Sequence, residues 1–461
     1  MHELSGLSLW HSTMSDGDWG PTRAPLTADT AVDVVIVGGG YTGLWTAYYL
    51  LRRDPTMRVM VLEAEVVGFG ASGRNGGWCS ALLPMGLDAM AAASSRDAAV
   101  RMQRTMHEAV TEVGRVVGEE GIDCHFQQGG WLGLARSPMQ LERSTEYIDH
   151  LRSYGFTEDD YRLLTAGEAR ERCGATKVVG GTFTPHCAAI HPARLARGLA
   201  VAVERRGGVI HEHTRVERIE PHRVVTSGGN VTAEVVVRAT EAFTPRLPGE
   251  GRTVAPIYSL MVATEPLSPA FWREAGLADR ATFNDGRHMI VYGQRTADDR
   301  LAFGGRGAPY HFGSKMSPAF DRNDGVKAML HQTLREMFPS LGDAAITHHW
   351  GGAVAAPRDW WCSVTFDRAS GLATAGGYVG DGVGTTNLSG RTLADLITDE
   401  PSDLTSLPWV GHRSRKWEPE PLRWLGINTM VRLPVSADQH EERKGTPARV
   451  RNALVSRLTG H

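Results

Sequence analysis

The first strong pattern in the chain is Val32–Val37 (VDVVIV), a mostly β-branched run that is apolar at nearly every position. Such a run predicts a parallel strand covered on both faces. Tyr41–Arg53 reads as a helix that Asp54-Pro55 stops, and Arg58–Glu63 (RVMVLE) reads as a second strand. Together they make one strand–helix–strand unit of about 30 residues, the length of a βαβ crossover. The 30 residues before it are polar, with Trp10 and Trp19 as packing anchors.

Further along, the patterns are mixed. Leu82–Ile190 is richer in charge and helical periods, with a Gly-rich Gln127–Leu134 (QQGGWLGL) that reads as strand and turn. His191–Arg206 predicts a helix capped by Gly207-Gly208, with a strand from Val209. A pair of strands is expected at Asn230–Thr240, and Ile257–Ala263 and Arg300–Gly305 alternate like strands. Pro339 closes a helix before His348, and Val379–Ile397 reads as a Gly-rich turn opening a helix. Beyond Glu400 the chain is Pro-rich, basic and loop-like up to a short amphipathic helix at about Ala448–Leu458. There is no internal repeat and no low-complexity tract.

Composition narrows the class of protein. The 461 residues carry 49 Lys+Arg against 52 Asp+Glu, a net charge of −3, without the basic excess of a nucleic-acid binder. With 41% hydrophobic and 22% charged residues the chain is globular rather than disordered. Its 53 glycines exceed the usual share of about 7%, which implies tight turns and close backbone approach to a ligand. The five cysteines (Cys79, Cys124, Cys173, Cys187, Cys362) form no CxxC pair, which fits a reducing compartment. The N-terminus has no signal-peptide pattern and no apolar stretch reaches about 18 residues, so the expected location is cytoplasmic.

Two glycine-rich segments carry the chemistry. In VIVGGGYTGLWTA, Gly38-x-Gly40-x-x-Gly43 stands between strand and helix, the arrangement that brings a pyrophosphate onto a helix N-terminus. Glu63 ends the second strand 20 residues past Gly43, where a carboxylate can bond ribose hydroxyls. GFGASGRNGGW, Gly68–Trp78, reads either as a second wall of the same site, with Arg74 as a fixed cation, or as a surface loop with Arg74 solvated. Beyond these two segments no further Gly-x-Gly-x-x-Gly unit exists, which argues against a separate nicotinamide domain.

These residues resemble the D-amino-acid-oxidase-like superfamily of FAD enzymes, most of all its amine-oxidising, γ-glutamylputrescine oxidase-like branch. The resemblance rests on VDVVIVGGGYTGLWTAYYL and VLEAEVVGFGASGRNGGW, followed in order by HPARLARGLA (191–200), TRVERIE (214–220), VVRATEAFTPRL (236–247) and GYVGDGVGTTNLSGRTLADLI (377–397). It spans roughly residues 8 to 400. The implied fold is α/β, a Rossmann-like FAD-binding domain of the D-amino-acid-oxidase/glutathione-reductase type interleaved with an α+β, mixed-sheet substrate domain. The first would take residues 31–81, 191–250 and 345–400, and the second 82–190 and 251–344, leaving 1–30 and 401–461 as extensions.

The resemblance implies cofactor contacts at Gly38, Gly40, Tyr41, Thr42 and Gly43, and at Glu63 and Ala64. Ser72, Arg74, Asn75 and Gly76 follow, then Val216 beside the adenine, with Ala239 and Thr240 close to FAD. The closing turn adds Gly380, Asp381, Gly382, Val383, Gly384 and Thr385, and its helix would point a positive dipole end at the flavin. Asp381 departs from the histidine or small residue often found there. Cys362 lies too near Gly377 to match the covalent attachment of some relatives, so non-covalent FAD is expected.

The reaction implied is hydride transfer from the carbon bearing an amine to FAD, giving an imine that hydrolyses, with oxygen or another acceptor reoxidising the flavin. No catalytic triad and no metal site are expected; His348-His349 lacks a partner cluster. On the substrate side, Arg306 is either a carboxylate or phosphonate clamp or a structural arginine. Tyr258 and Tyr292 face pocket or core, and Trp78 and Trp131 are aromatic walls or core packing. Gly384 and Asn75-Gly76-Gly77 stand where sarcosine-type relatives carry basic residues, against simple sarcosine oxidation. A basic C-terminal helix (Arg449, Arg451, Arg457) would pack on the surface or at a subunit contact. The alternatives are a D-amino-acid or N-methyl amino-acid dehydrogenase, an NAD-dependent dehydrogenase that leaves the second and last glycine segments idle, and a non-catalytic flavin-holding protein.

Overall fold

Strand Thr30–Val37 (β1), helix Tyr41–Arg53 (α1) and strand Val59–Leu62 (β2) form the centre of the computed structural model, which describes residues 2–446 and 448. β1 and β2 are parallel, with Val34 opposite Val59 and Val37 opposite Leu62. Val35, Ile36 and Val61 are fully buried, the environment that β-branched residues fill best on a sheet covered on both faces. The sheet runs in the order Ser363–Asp367, Leu372–Gly376, Gly229–Arg238, β1, β2, Val209–His211. Along this order neighbours are parallel except for the antiparallel pair Ser363–Asp367 and Leu372–Gly376, and off it Arg223–Thr226 pairs antiparallel with both Gly229–Arg238 and Val216–Glu220.

Where the sequence predicts a pair of strands at Asn230–Thr240, the structure has the single ten-residue strand Gly229–Arg238. The turn lies earlier, where Thr226 of the Arg223–Thr226 strand pairs with Gly229. Val235, Val236 and Val237 are all buried, so nothing polar interrupts the later half.

Helix α1 and the helix Gly382–Thr398 (α2) cover one face of this sheet. They touch backbone to side chain, since a Cβ on Gly390 would stand 2.7 Å from Trp45. The 24-residue helix Arg96–Glu119 adds Met102, Met106 and Val110 to the same core. That part of the 82–190 segment therefore packs with the first sheet, although the sequence reading grouped it with the second.

A second, eight-stranded sheet runs in the order Ile346–Ala356, Ala255–Thr264, Leu301–Gly305, Val291–Arg295, Thr282–Asp285, Trp131–Ala135, Gly180–Thr184, Arg162–Leu164. Its own core includes Leu260, Phe283, Phe303 and Phe338. Ile346–Ala356 pairs along Ala255–Thr264, so it belongs to this sheet and not with the first, where the 345 boundary had placed it. The partner lies far along the chain, and local pattern carries no sign of it.

After α2 the chain is not loop-like to its end. Residues Leu422–Lys444 form a 23-residue helix (α3) with Pro434 inside it. A proline reads as a breaker because it removes one helical hydrogen bond and crowds the preceding turn. Here the lost bond is offset by packing: Ile427 and Ala437 are buried on the inward face, and Val431 packs against Tyr310 and Trp417. The expected helix at Ala448–Leu458, with Arg449, Arg451 and Arg457, lies outside the described residues apart from Ala448. Among the described residues no helix is long and apolar enough to cross a membrane.

The N-terminal anchors are in place. Trp10 and Trp19 are buried, and Trp10 stands edge-on to Trp350 at 6.2 Å while its Nε1 donates to the Asn75 carbonyl at 2.8 Å.

Candidate cofactor and substrate site

At the end of β1 the chain turns through Gly38 at φ 115°. A Cβ there would stand 2.5 Å from the Ala239 carbonyl oxygen, and one on Gly43 would stand 2.1 Å from the carbonyl of Gly38. Only glycine closes both contacts. Gly40 begins α1 without a side-chain cap, and Ser72 Oγ accepts the Tyr41 N–H at 2.9 Å. The other N–H groups of the first turn stay available to an anion.

Two contiguous compartments open beside this turn. The larger, about 230 Å³, is bordered by Gly38, Glu63, Ala64, Val216 and Thr240. The smaller, about 80 Å³, is bordered by Tyr41, Thr42, Asn75, Gly380, Gly382 and Val383. Gly40, Ser72, Ala239 and Glu241 border both. Helix α2 also begins without a side-chain cap, at Asp381-Gly382. The positive ends of α1 and α2 thus converge on the smaller compartment, a field suited to a pyrophosphate and to the anionic edge of a reduced flavin. An elongated cradle with a carboxylate at one end and two free helix N-termini at the other fits FAD.

The carboxylates here are unusual. Burial pushes Glu63 up to about 7, against the opposing pull of the Glu65 and Gly39 N–H groups, which donate to it at 2.9 and 2.7 Å. Burial likewise raises Glu241 to about 7, while the Gly377 N–H donates to it at 2.9 Å. Glu241 was not singled out from sequence; its signal was an acid directly after the close-approach pair Ala239-Thr240. Arg246, whose guanidinium lies 5.0 Å over the Phe243 ring, also borders the larger compartment and was missed.

Several expected contacts are placed elsewhere. Gly43 serves the turn itself, and a Cβ on Gly76 would meet the Tyr292 ring at 2.6 Å. Gly384 lies against the Ser80 carbonyl, 2.5 Å from where its Cβ would stand. Thr385 Oγ1 donates to the Asp381 carbonyl. Arg74 is neither solvated nor beside these compartments. Its guanidinium pairs with Asp321 at 2.7 Å, donates to the Phe69 carbonyl at 2.8 Å and stands 4.5 Å over the Phe69 ring. It ties the Gly68–Trp78 loop to the segment beside the second sheet.

A third cavity, about 640 Å³, lies on the other side of the closing turn. Tyr258, Arg306, Trp360, Val379 and Asp381 border it near that turn. Arg306 Nη2 donates to the Val379 carbonyl at 2.9 Å, and its guanidinium stands 5.5 Å from the Trp360 ring. Val379 has φ 53° and Trp360 φ 57°, costly for a β-branched and a bulky residue, and such strain collects at ligand sites. Burial raises Asp381 to about 6, and Arg306 is the charge that opposes it. Tyr258 is buried and also borders the cavity. Tyr292 and Trp78 border none of these spaces; they meet edge-on at 5.8 Å behind Gly76, with the Tyr292 hydroxyl 2.7 Å from Ser259 Oγ. Trp131 donates from Nε1 to Asn284 Oδ1 at 3.1 Å, away from the cavity.

None of the five cysteines borders the three spaces, and burial pushes the Cys362 thiol far up, away from a reactive thiolate. His348 Nε2 is 2.9 Å from Ser12 Oγ, and His349 Nε2 accepts the Asn323 N–H at 3.4 Å. Among the described residues His107, Asp160 and His186 bring ligand atoms within 4.8 Å of one another. The two imidazoles stack face to face at 3.7 Å, and His107 Nε2 meets the Tyr161 hydroxyl at 2.8 Å, so their lone pairs do not converge on one point.

Comparison with known proteins agrees with this geometry. Residues 33–396 match the family described as FAD dependent oxidoreductase. The chain is 30% identical over 401 residues to gamma-glutamylputrescine oxidoreductase of Escherichia coli (strain K12), covering 84% of this chain and 90% of that protein. It is 26% identical over 377 residues to glycine oxidase of Geobacillus kaustophilus (strain HTA426), covering 79% and 92%. The solved structure of glycine oxidase from Geobacillus kaustophilus superposes with a TM-score of 0.69 at 23% identity, over 83% of this chain and 99% of that one. That of L-proline dehydrogenase from P. horikoshii gives 0.66 at 20% identity, over 82% and 96%. The chain belongs to the FAD-dependent oxidoreductase family of D-amino-acid-oxidase type, with FAD as its cofactor.

Proposed function

We propose that the protein oxidises an amine or amino acid at the carbon that bears the nitrogen. The observation carrying this reading is the closing turn, whose residues alternate between the two sides. Tyr378, Gly380, Gly382 and Val383 border the cofactor compartment, while Val379 and Asp381 border the substrate cavity. The turn borders both spaces, so a flavin and a substrate would meet beside it, the contact that direct transfer requires. When bound, FAD accepts a hydride from the carbon next to the amine, leaving an imine that water hydrolyses to a carbonyl product.

The chain's own part is positioning and charge. Arg306, held by the Val379 carbonyl, presents its remaining N–H groups to a substrate carboxylate. Asp381, at about 6, is ionised at neutral pH, receives the substrate ammonium and takes its proton on a carboxylate oxygen. That leaves the amine neutral, the form whose carbon gives up a hydride.

Product analysis tests this reading. Holoenzyme would be incubated with polyamines and their γ-glutamyl derivatives, N-methyl amino acids, D-amino acids and aminophosphonates. One class should yield a carbonyl compound with equimolar ammonia or amine. Turnover of hydroxy acids with no amine consumed would refute it.

A further inference from the structure

Helix α3 lies wholly beyond the family match at residues 33–396, yet it walls the substrate cavity. Ile427, Met430, Val431, Pro434 and Ala437 recur at helical spacing and border that space. Leu83, Ile257, Met289, Ile290 and Trp417 add further apolar lining. The charged groups Arg306 and Asp381 border the same space beside the closing turn.

This wall is fixed at both ends. Near its start, Arg423 Nη1 donates to the Gly251 carbonyl at 3.0 Å, and Asn428 exchanges two 3.1 Å hydrogen bonds with the Tyr310 backbone. Near its end, Asp438 accepts the His288 and Met289 N–H groups at 2.7 and 2.8 Å. Glu441 binds His288 Nε2 at 2.8 Å and Arg143 Nη1 at 2.9 Å. The other titratable groups bordering the cavity are His288, which is thus already partnered, and Tyr258, whose hydroxyl burial pushes up to about 12 and so keeps neutral. A second charge on a substrate would lose its hydration against this wall and meet no counter-charge.

We propose that α3 builds an apolar subsite for the part of the substrate remote from the reacting amine, so that the chain takes amines or amino acids bearing an uncharged hydrophobic substituent rather than a second charged group. The substrate class rests on the amine-oxidising reading above; the subsite itself does not.

The test is a titration of oxidised holoenzyme with straight-chain monocarboxylates from propanoate to octanoate, read by the shift they cause in the flavin absorbance. Affinity should rise about fourfold per methylene until the chain spans the cavity. A dicarboxylate should bind more weakly than the monocarboxylate of equal length. Val431→Asp should abolish the gradient, and Ala437→Phe should stop it at a shorter chain. Val435→Asp, on the exposed side of the same helix, should leave it intact and controls for folding. No binding, an affinity flat in chain length, or tighter binding of the dicarboxylate overturns the subsite. The readout needs no turnover, so a clear gradient in a protein that oxidises no amine would keep the subsite and remove the amine reading. Amine oxidation with a flat gradient would do the reverse.

Discussion

The guanidinium of Arg306 donates to the main-chain carbonyl of Val379 at 2.9 Å. Val379 holds φ 53° and lies two residues before Asp381, so one hydrogen bond fixes the cavity's cation and props the strained turn that borders both the cavity and the cofactor cradle. Arg306→Met should weaken binding of carboxylate-bearing ligands by about 10- to 100-fold, the worth of a charge-assisted hydrogen bond of roughly 1.5–3 kcal/mol. Arg306→Lys should restore part of the binding. The comparison of KM for an amino acid with KM for the matching simple amine checks it, because only the amino acid should respond.

Asp381 should impose a pH limb. Its carboxyl is raised to about 6 by burial, so it is protonated and neutral below that pH and anionic above it. Binding of an ammonium substrate, measured as kcat/KM, should therefore rise as pH increases through about 6. In Asp381→Asn that limb should vanish while flavin binding is retained.

Gly38 should tolerate no side chain. Gly38→Ala adds a Cβ 2.5 Å from the Ala239 carbonyl at a φ of 115°. Strain of this kind costs about 1–3 kcal/mol, and the turn it distorts borders the cofactor compartment. The expected result is a lower melting temperature together with loss of FAD on gel filtration, scored by the flavin-to-protein ratio.

Arg74 should be a stability residue that leaves the chemistry alone. Breaking its pair with Asp321 in Arg74→Met leaves a largely buried carboxylate unpartnered, a change that costs about 3–5 kcal/mol in well-buried pairs and less here, where Asp321 keeps 20% side-chain exposure. Thermal unfolding should shift downward while the holoenzyme's visible spectrum and the rate of flavin reduction stay near wild type.

The parts of the site made by contiguous residues were legible in the sequence. Gly38–Gly43, Glu63 and the closing turn each follow a strand and open or precede a helix, so local pattern and glycine spacing place them. What was not legible depends on distant pairing. Ile346–Ala356 joins the second sheet through Ala255–Thr264, and Arg74 finds its carboxylate at Asp321. Helix α3 was hidden for another reason: Pro434 reads as a breaker, and the inward stripe Ile427, Val431, Pro434, Ala437 is interrupted by exposed Leu425 and Val435 on the outer side. Its contribution to the cavity is a tertiary fact.

The most direct measurement is anaerobic mixing of the holoenzyme with the same panel of amines and amino acids while following the flavin's yellow absorbance. A substrate of this class should bleach the flavin with no other reductant present, and readmitted air should then restore the colour at once in an oxidase or slowly in a dehydrogenase. A flavin that dithionite bleaches but no amine or amino acid does would contradict the account.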